Sequence, residues 1–131
     1  MTLQVELAVP DGEIWSGPAQ MVIAKTLDGD IGVLTGHAPV LGILAPGSVV
    51  RIRPQEDGAA EVSAAVSDGF FSVAGDRISI LARQAQLATA VDTAAVDAAL
   101  DAALADAASG ESESVQIRYY RAQLRAAGAG S

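Results

Sequence analysis

Cysteine is absent from the 131 residues, histidine occurs once, lysine occurs once, and five side chains in all are aromatic. Without cysteine there is no disulfide framework, no thiolate zinc site and no cysteine nucleophile. With His37 alone, a metal would need carboxylate ligands throughout, and a serine triad would have to be built around a residue in a turn. The lone lysine, Lys25, follows Val22-Ile23-Ala24 in a strand-like run, and no Gly-x-x-x-x-Gly-Lys-Ser/Thr phosphate loop occurs. The scattered aspartates read as turn residues and as a solvated helix face, not as a paired acid and base. Catalysis by this chain is therefore not expected. A net charge of −8 and the scarcity of aromatic platforms argue against nucleic acid as a partner. No apolar run approaches the ~20 residues that cross a bilayer, so direct membrane insertion is not expected either. The start, Met1 to Glu6, has neither the basic region nor the apolar block of a secretory signal, which predicts a chain that stays in the cytosol.

What the chain does have, up to about residue 90, is alternation. Leu3, Val5, Leu7 and Val9 fall on one face and end at Pro10-Asp11-Gly12. Val50 and Ile52 alternate with Arg51 and Arg53; Val62, Ala64 and Val66 with Glu61 and Ser63; Ile78 and Ile80 follow the same rule. A period of two is that of a strand with one buried and one wet face. Ser16-Gly17-Pro18, Asp28-Gly29-Asp30, Ala45-Pro46-Gly47, Glu56-Asp57-Gly58 and Ala74-Gly75-Asp76 read as turns. Their spacing leaves no room for crossover helices, which predicts an antiparallel β-sandwich or flattened antiparallel barrel over residues 1–90.

From Val91 the composition shifts to alanine. Val96, Leu100 and Leu104 form one stripe, with Asp92, Asp97, Asp101 and Asp106 away from it, and Asp92 is placed to cap the start. Ser109-Gly110 predicts a turn, and a second helix follows in which Val115 and Tyr119 share one stripe and Ile117, Tyr120 and Leu124 a neighbouring one. Glu111 and Glu113 at its start and Arg118, Arg121 and Arg125 towards its end suit the helix dipole. Residues 91–127 are thus expected to form an antiparallel α-helical hairpin, marginally stable alone, with a frayed tail over 128–131.

The most specific stretch is Asp28-Gly29-Asp30-Ile31-Gly32-Val33-Leu34-Thr35-Gly36-His37-Ala38-Pro39-Val40-Leu41: a turn, a strand, a glycine-enabled bend, and a second apolar strand after Pro39. It resembles the signature of the epsilon subunits of bacterial F-type ATP synthases. Further matches stand in the expected order, namely Pro10-Asp11-Gly12-Glu13 with Trp15-Ser16-Gly17, Pro46-Gly47 before Val50 to Arg53, and Ser67 to Val73 before Ile78 to Ala82. Together they run from about Leu3 to Val91.

The resemblance implies a non-catalytic rotor subunit of the central stalk of a proton-translocating complex, on the cytoplasmic face of the bacterial plasma membrane. Its partners would be the gamma subunit, the membrane c-ring and, with the hairpin extended, the alpha/beta catalytic head. By matching position, Asp28, Gly29, Asp30, Ile31, Thr35, Gly36, His37, Ala38, Pro39, Val40 and Leu41 would face the c-ring. His37 also reads as a turn histidine bonded locally, and Asp30 as an ordinary acidic turn residue. Arg118, Arg121 and Arg125 form a basic strip that would meet acidic segments of the head and obstruct ATP hydrolysis; dipole complementation accounts for them equally. Some members of the family bind ATP through an Ile/Leu-Asp-x-x-Arg-Ala motif, and here Asp92 keeps the aspartate while Ala95 and Val96 replace the last two residues. That predicts weak or no ATP binding and no cofactor. A free-standing β-sandwich module for a carbohydrate or peptide shares the strand pattern and stays open as the alternative.

Overall fold

A computed structural model describes residues 2–56, 58–106 and 114–129. The turn expected at Ser109-Gly110, the acidic residues Glu111 and Glu113, and Asp57 lie outside the described residues, as do Gly130 and Ser131. The chain runs β1 (Leu3–Val9), β2 (Gly12–Thr26), β3 (Gly29–Val33), β4 (Val40–Ile43), β5 (Ser48–Pro54), β6 (Val62–Val66), β7 (Gly69–Ala74), β8 (Arg77–Ala82), β9 (Ala85–Leu87), a 3-10 turn (Ala88–Ala90), α1 (Thr93–Asp106) and α2 (Val115–Ala129).

The strand order is β4-β7-β8-β1-β2-β5-β6-β9, with β3 attached to β2. β2 carries this order across two layers. Its first half pairs with β1 through Leu3↔Ala19, while its second half pairs with β5 from Ala19 onward and with β3 from Val22. Two sheets therefore share one long strand. Leu3, Leu7, Phe71, Ile78 and Ile80 from one layer meet Val33, Val50, Ile52 and Val66 from the other in a single core.

Four sequence expectations are corrected. Ser16-Gly17-Pro18 is not a chain reversal but part of β2. Gln4, opposite Pro18, sends its N–H to the carbonyl of Asp76 on its other side, so this is a non-bonded pair in which the missing proline donor costs nothing. Second, the sheet is not wholly antiparallel: β1 and β8 pair in parallel from Gln4↔Arg77 to Ala8↔Leu81. Short turns forbid parallel pairing only between consecutive strands, and here β2 to β7 lie between the two along the chain. Third, the sheet does not close into a barrel. Its path ends at β4 and β9, and β4 reaches β2 only through an isolated bridge from Leu44 to Thr26.

The fourth correction concerns β6, whose outer face is dry. Ser63 and Ala65 are buried, because α2 lies across β5 and β6 and seats Tyr119, Ala122 and Ala126 on Ala65, Val49 and Ala88. In α2 the small alanines face the sheet, while Val115 is exposed and Tyr120 and Leu124 are half-buried. Close approach explains this choice. At Gly47, where φ is 66°, an added Cβ would stand under 3.0 Å from the Arg118 backbone. The helix continues through Gly128 to Ala129, beyond the predicted end, since Ala126 is fully buried and anchors the last turns. Each helix start is capped: Asp92 Oδ1 accepts the Ala95 N–H at 3.1 Å, and Ser114 Oγ accepts the Ile117 N–H at 3.1 Å. In α1, Val96 is buried and Leu100 half-buried, whereas Leu104 is exposed, so the apolar stripe frays outward from the capped end.

Candidate functional site

The Asp28 turn is shaped by Thr26, whose hydroxyl donates to the Gly29 carbonyl at 2.8 Å and accepts the Asp28 N–H at 3.1 Å. Asp30 stands opposite Lys25 across the β2–β3 pair. These two residues share a cleft with Arg51 and Arg125. Ile31 leans on the core, and Val33 is buried in it. After β3 the chain bends at Gly36, whose φ of 81° favours glycine. The His37 N–H reaches the Leu34 carbonyl at 3.2 Å, and its Nδ1 lies 2.7 Å from the Ala38 carbonyl. A carbonyl only accepts, so Nδ1 carries the proton there, which is the local turn role. The Gly36 N–H donates to Asp76 Oδ1 at 2.7 Å.

The structure divides this set. Asp28 and Gly29 lie at one end of β3 and Thr35 to Pro39 beyond the other, separated by five residues of strand, roughly 15 Å. What they share is the edge of β3, which pairs with β2 alone. Val40 and Leu41 open β4, with Leu41 73% exposed.

The arginine strip faces the sandwich. Arg118, Arg121, Arg125 and Lys25 line a cleft around Ala45, Pro46 and Gly47, and Arg125 Nη2 donates to the Gly47 carbonyl at 2.8 Å. Half of the eight basic side chains of an acidic protein thus gather where α2 meets this turn. Gln123 Nε2 adds a bond to Gln86 Oε1 at 2.5 Å. The Asp92 carboxylate is occupied as the cap of α1, and Val96 is buried.

Sequence reasoning missed an apolar row on the outer face of the first sheet. Cross-strand register lines up Ile43, Phe70, Leu81 and Ala8, with Leu41 one pleat further along β4. Ile43 is 59% exposed, Phe70 46% and Leu81 39%. The signal was present, since Val40 to Ile43 and Gly69 to Val73 carry large apolar side chains on both faces of the strand. Asp76 was also missed as more than a turn residue.

Residues 2–88 match the family model described as ATP synthase, Delta/Epsilon chain, beta-sandwich domain. The ATP synthase epsilon chain of Thermobifida fusca is 47% identical over 126 residues, which span 95% of this chain and 91% of that one. That of Streptomyces griseus is 42% identical over 123 residues, 94% and 97% of the two chains. That of Frankia casuarinae is 51% identical over 87 residues, 66% of this chain but 99% of the relative. Among solved structures, a chain from the Euglena gracilis mitochondrial ATP synthase has a TM-score of 0.73 and 25% identity, over 96% of this chain and 81% of that one.

Proposed function

The chain belongs to the ATP synthase epsilon-chain family and is a non-catalytic subunit of the central stalk, and on that premise we propose how its surfaces divide the work. The outer face of the first sheet, Leu41, Ile43, Phe70 and Leu81, packs on the gamma subunit. This exposed apolar row is the observation that carries the reading, since a water-facing sheet with large aliphatic and aromatic side chains in register is a protein contact awaiting its partner. The edge of β3 with its flanking bends, Asp28 to Asp30 and Thr35 to Pro39, meets the polar loops of the c-ring. Rotation then passes from ring to sandwich to gamma. The family premise leaves no ground for the free-standing module.

The hairpin is the regulatory part. In the docked position Arg125 holds the Gly47 carbonyl; released, it and its neighbours reach the acidic head and obstruct ATP hydrolysis. A helix held by small contacts on one surface and charged for another is suited to a population switch. The Frankia relative supports the division, because an 87-residue match spans 99% of it, about the length of the β-domain by itself. The whole subunit sits peripherally at the cytoplasmic face of the bacterial membrane, and among the described residues no helix is long and apolar enough to cross it.

Two measurements test this. Phe70→Ser together with Leu81→Ser should leave the chain folded but release it from purified gamma; retention at wild-type affinity would refute the assignment of that face. Removal of residues after Val91 should raise ATP hydrolysis by the reconstituted complex, and unchanged hydrolysis with normal coupling would sink the regulatory role.

A further inference from the structure

Asp76 is the one non-glycine residue at positive φ among the described residues, at 63°. With Gly75 at 58° it forms the two-residue turn between β7 and β8, in which both central positions are left-handed. Glycine would adopt the second of these at no steric cost, so the turn by itself does not account for an aspartate. Its other bonds do. The Asp76 carbonyl accepts the Gln4 N–H at 2.8 Å, tying the turn to β1. Its carboxylate accepts the Gly36 N–H at 2.7 Å, reaching a bend 40 residues away in sequence. The carbonyl bond belongs to the parallel β1–β8 ladder that begins at Gln4↔Arg77, whereas the carboxylate bond reaches a bend that no strand pairing joins to this outlier turn.

We infer that Asp76 is the positioning residue of the Thr35 to Pro39 bend, its carboxylate clamping the Gly36 amide to the rigid β7–β8 hairpin. This rests on the reading that the bend faces the c-ring, where a loose loop would slip under load. The two bonds are separable: the backbone carbonyl stays through any substitution, whereas the carboxylate does not. Asp76→Gly relieves the backbone and removes the acceptor. Asp76→Asn keeps a neutral oxygen in nearly the same place.

Amide hydrogen exchange of the full chain in solution is the deciding measurement. Loss of a bond to a charged acceptor should speed exchange at Gly36 about tenfold or more in Asp76→Gly, with a smaller rise in Asp76→Asn and no fall in the unfolding midpoint of the glycine variant. A residue serving only the turn would leave Gly36 exchange unchanged in both variants, and that result overturns the inference. Proton pumping per ATP hydrolysed in the reconstituted complex separates this from the ring reading. If Gly36 exchange rises while pumping is normal in Asp76→Gly and also in a chain with His37 and Pro39 both replaced by glycine, the clamp stands and the ring contact fails.

Discussion

Replacing Gly47 by alanine should undock α2 without unfolding the sandwich. Gly47 carries two separate demands: a φ of 66°, and the Arg118 backbone closer than 3.0 Å to where a Cβ would sit. The left-handed conformation costs an alanine about 1–2 kcal/mol whether or not the helix is docked. The steric overlap acts only on the docked state and adds about 1–3 kcal/mol, as overpacking does elsewhere. That second part shifts the docking equilibrium roughly 5- to 150-fold towards release. Gly58→Ala supplies the control, because Gly58 has a φ of 80° with no atom within 4 Å of the added Cβ. Both variants should lose similar global stability. In hydrogen exchange with peptide resolution, and in trypsin cleavage at Arg118 and Arg121, only Gly47→Ala should expose α2. If α2 is equally protected in the two variants, close approach at Gly47 is not what seats the helix, and the docking argument is wrong. In the assembled complex Gly47→Ala should also slow ATP hydrolysis, since it populates the released hairpin.

The same interface responds to alkali: burial raises the Tyr119 hydroxyl above its ordinary value of about 10. Docking is then fully stable below that value and weakens as pH rises from about 10 through the folded value, because the released tyrosine ionises first; Tyr119→Phe should remove this dependence from a helix-protection titration. Asp92→Ala should cost about 0.5–2 kcal/mol through loss of the bond to the Ala95 amide, read as faster exchange in the first turn of α1 with β-domain exchange unaltered. Phe70 and Phe71 are neighbours on opposite faces of β7 and should separate binding from stability. Phe71→Ala, from a site 2% exposed, should cost about 3–5 kcal/mol in denaturant unfolding, whereas Phe70→Ser should change stability by about 0.5 kcal/mol or less.

Much of the β-domain was legible because alternation reports burial directly. β1 buries Leu3, Val5 and Leu7, and β5 buries Val50 and Ile52 while exposing Arg51 and Arg53, as their patterns require. The β-sandwich class, the two helices and the cap at Asp92 followed from local signals of the same kind. The pattern of β6 misled because alternation names the wet face without saying what else might cover it, and Ser63 and Ala65 are small enough to pass as surface. Ser16-Gly17-Pro18 misled because glycine and proline permit both a reversal and a strand that changes sheets, and the choice depends on β1 and β5 lying on either side.

The amino-acid sequence by itself determined where strands and helices form, which face of most strands turns inward, and that the chain has no cysteine nucleophile and no thiolate site, since these depend on residues a few positions apart or on composition. Only the tertiary structure decided that β1 lies parallel to β8, that Ala122 and Ala126 beside Tyr119, rather than Val115 and Leu124, seat α2, and that exposed Ile43, Phe70 and Leu81 fall in one row. It also decided that the Asp76 carboxylate meets the Gly36 amide. Each of these joins residues distant along the chain, and such pairings arise from the whole core closing at once, which no local period encodes.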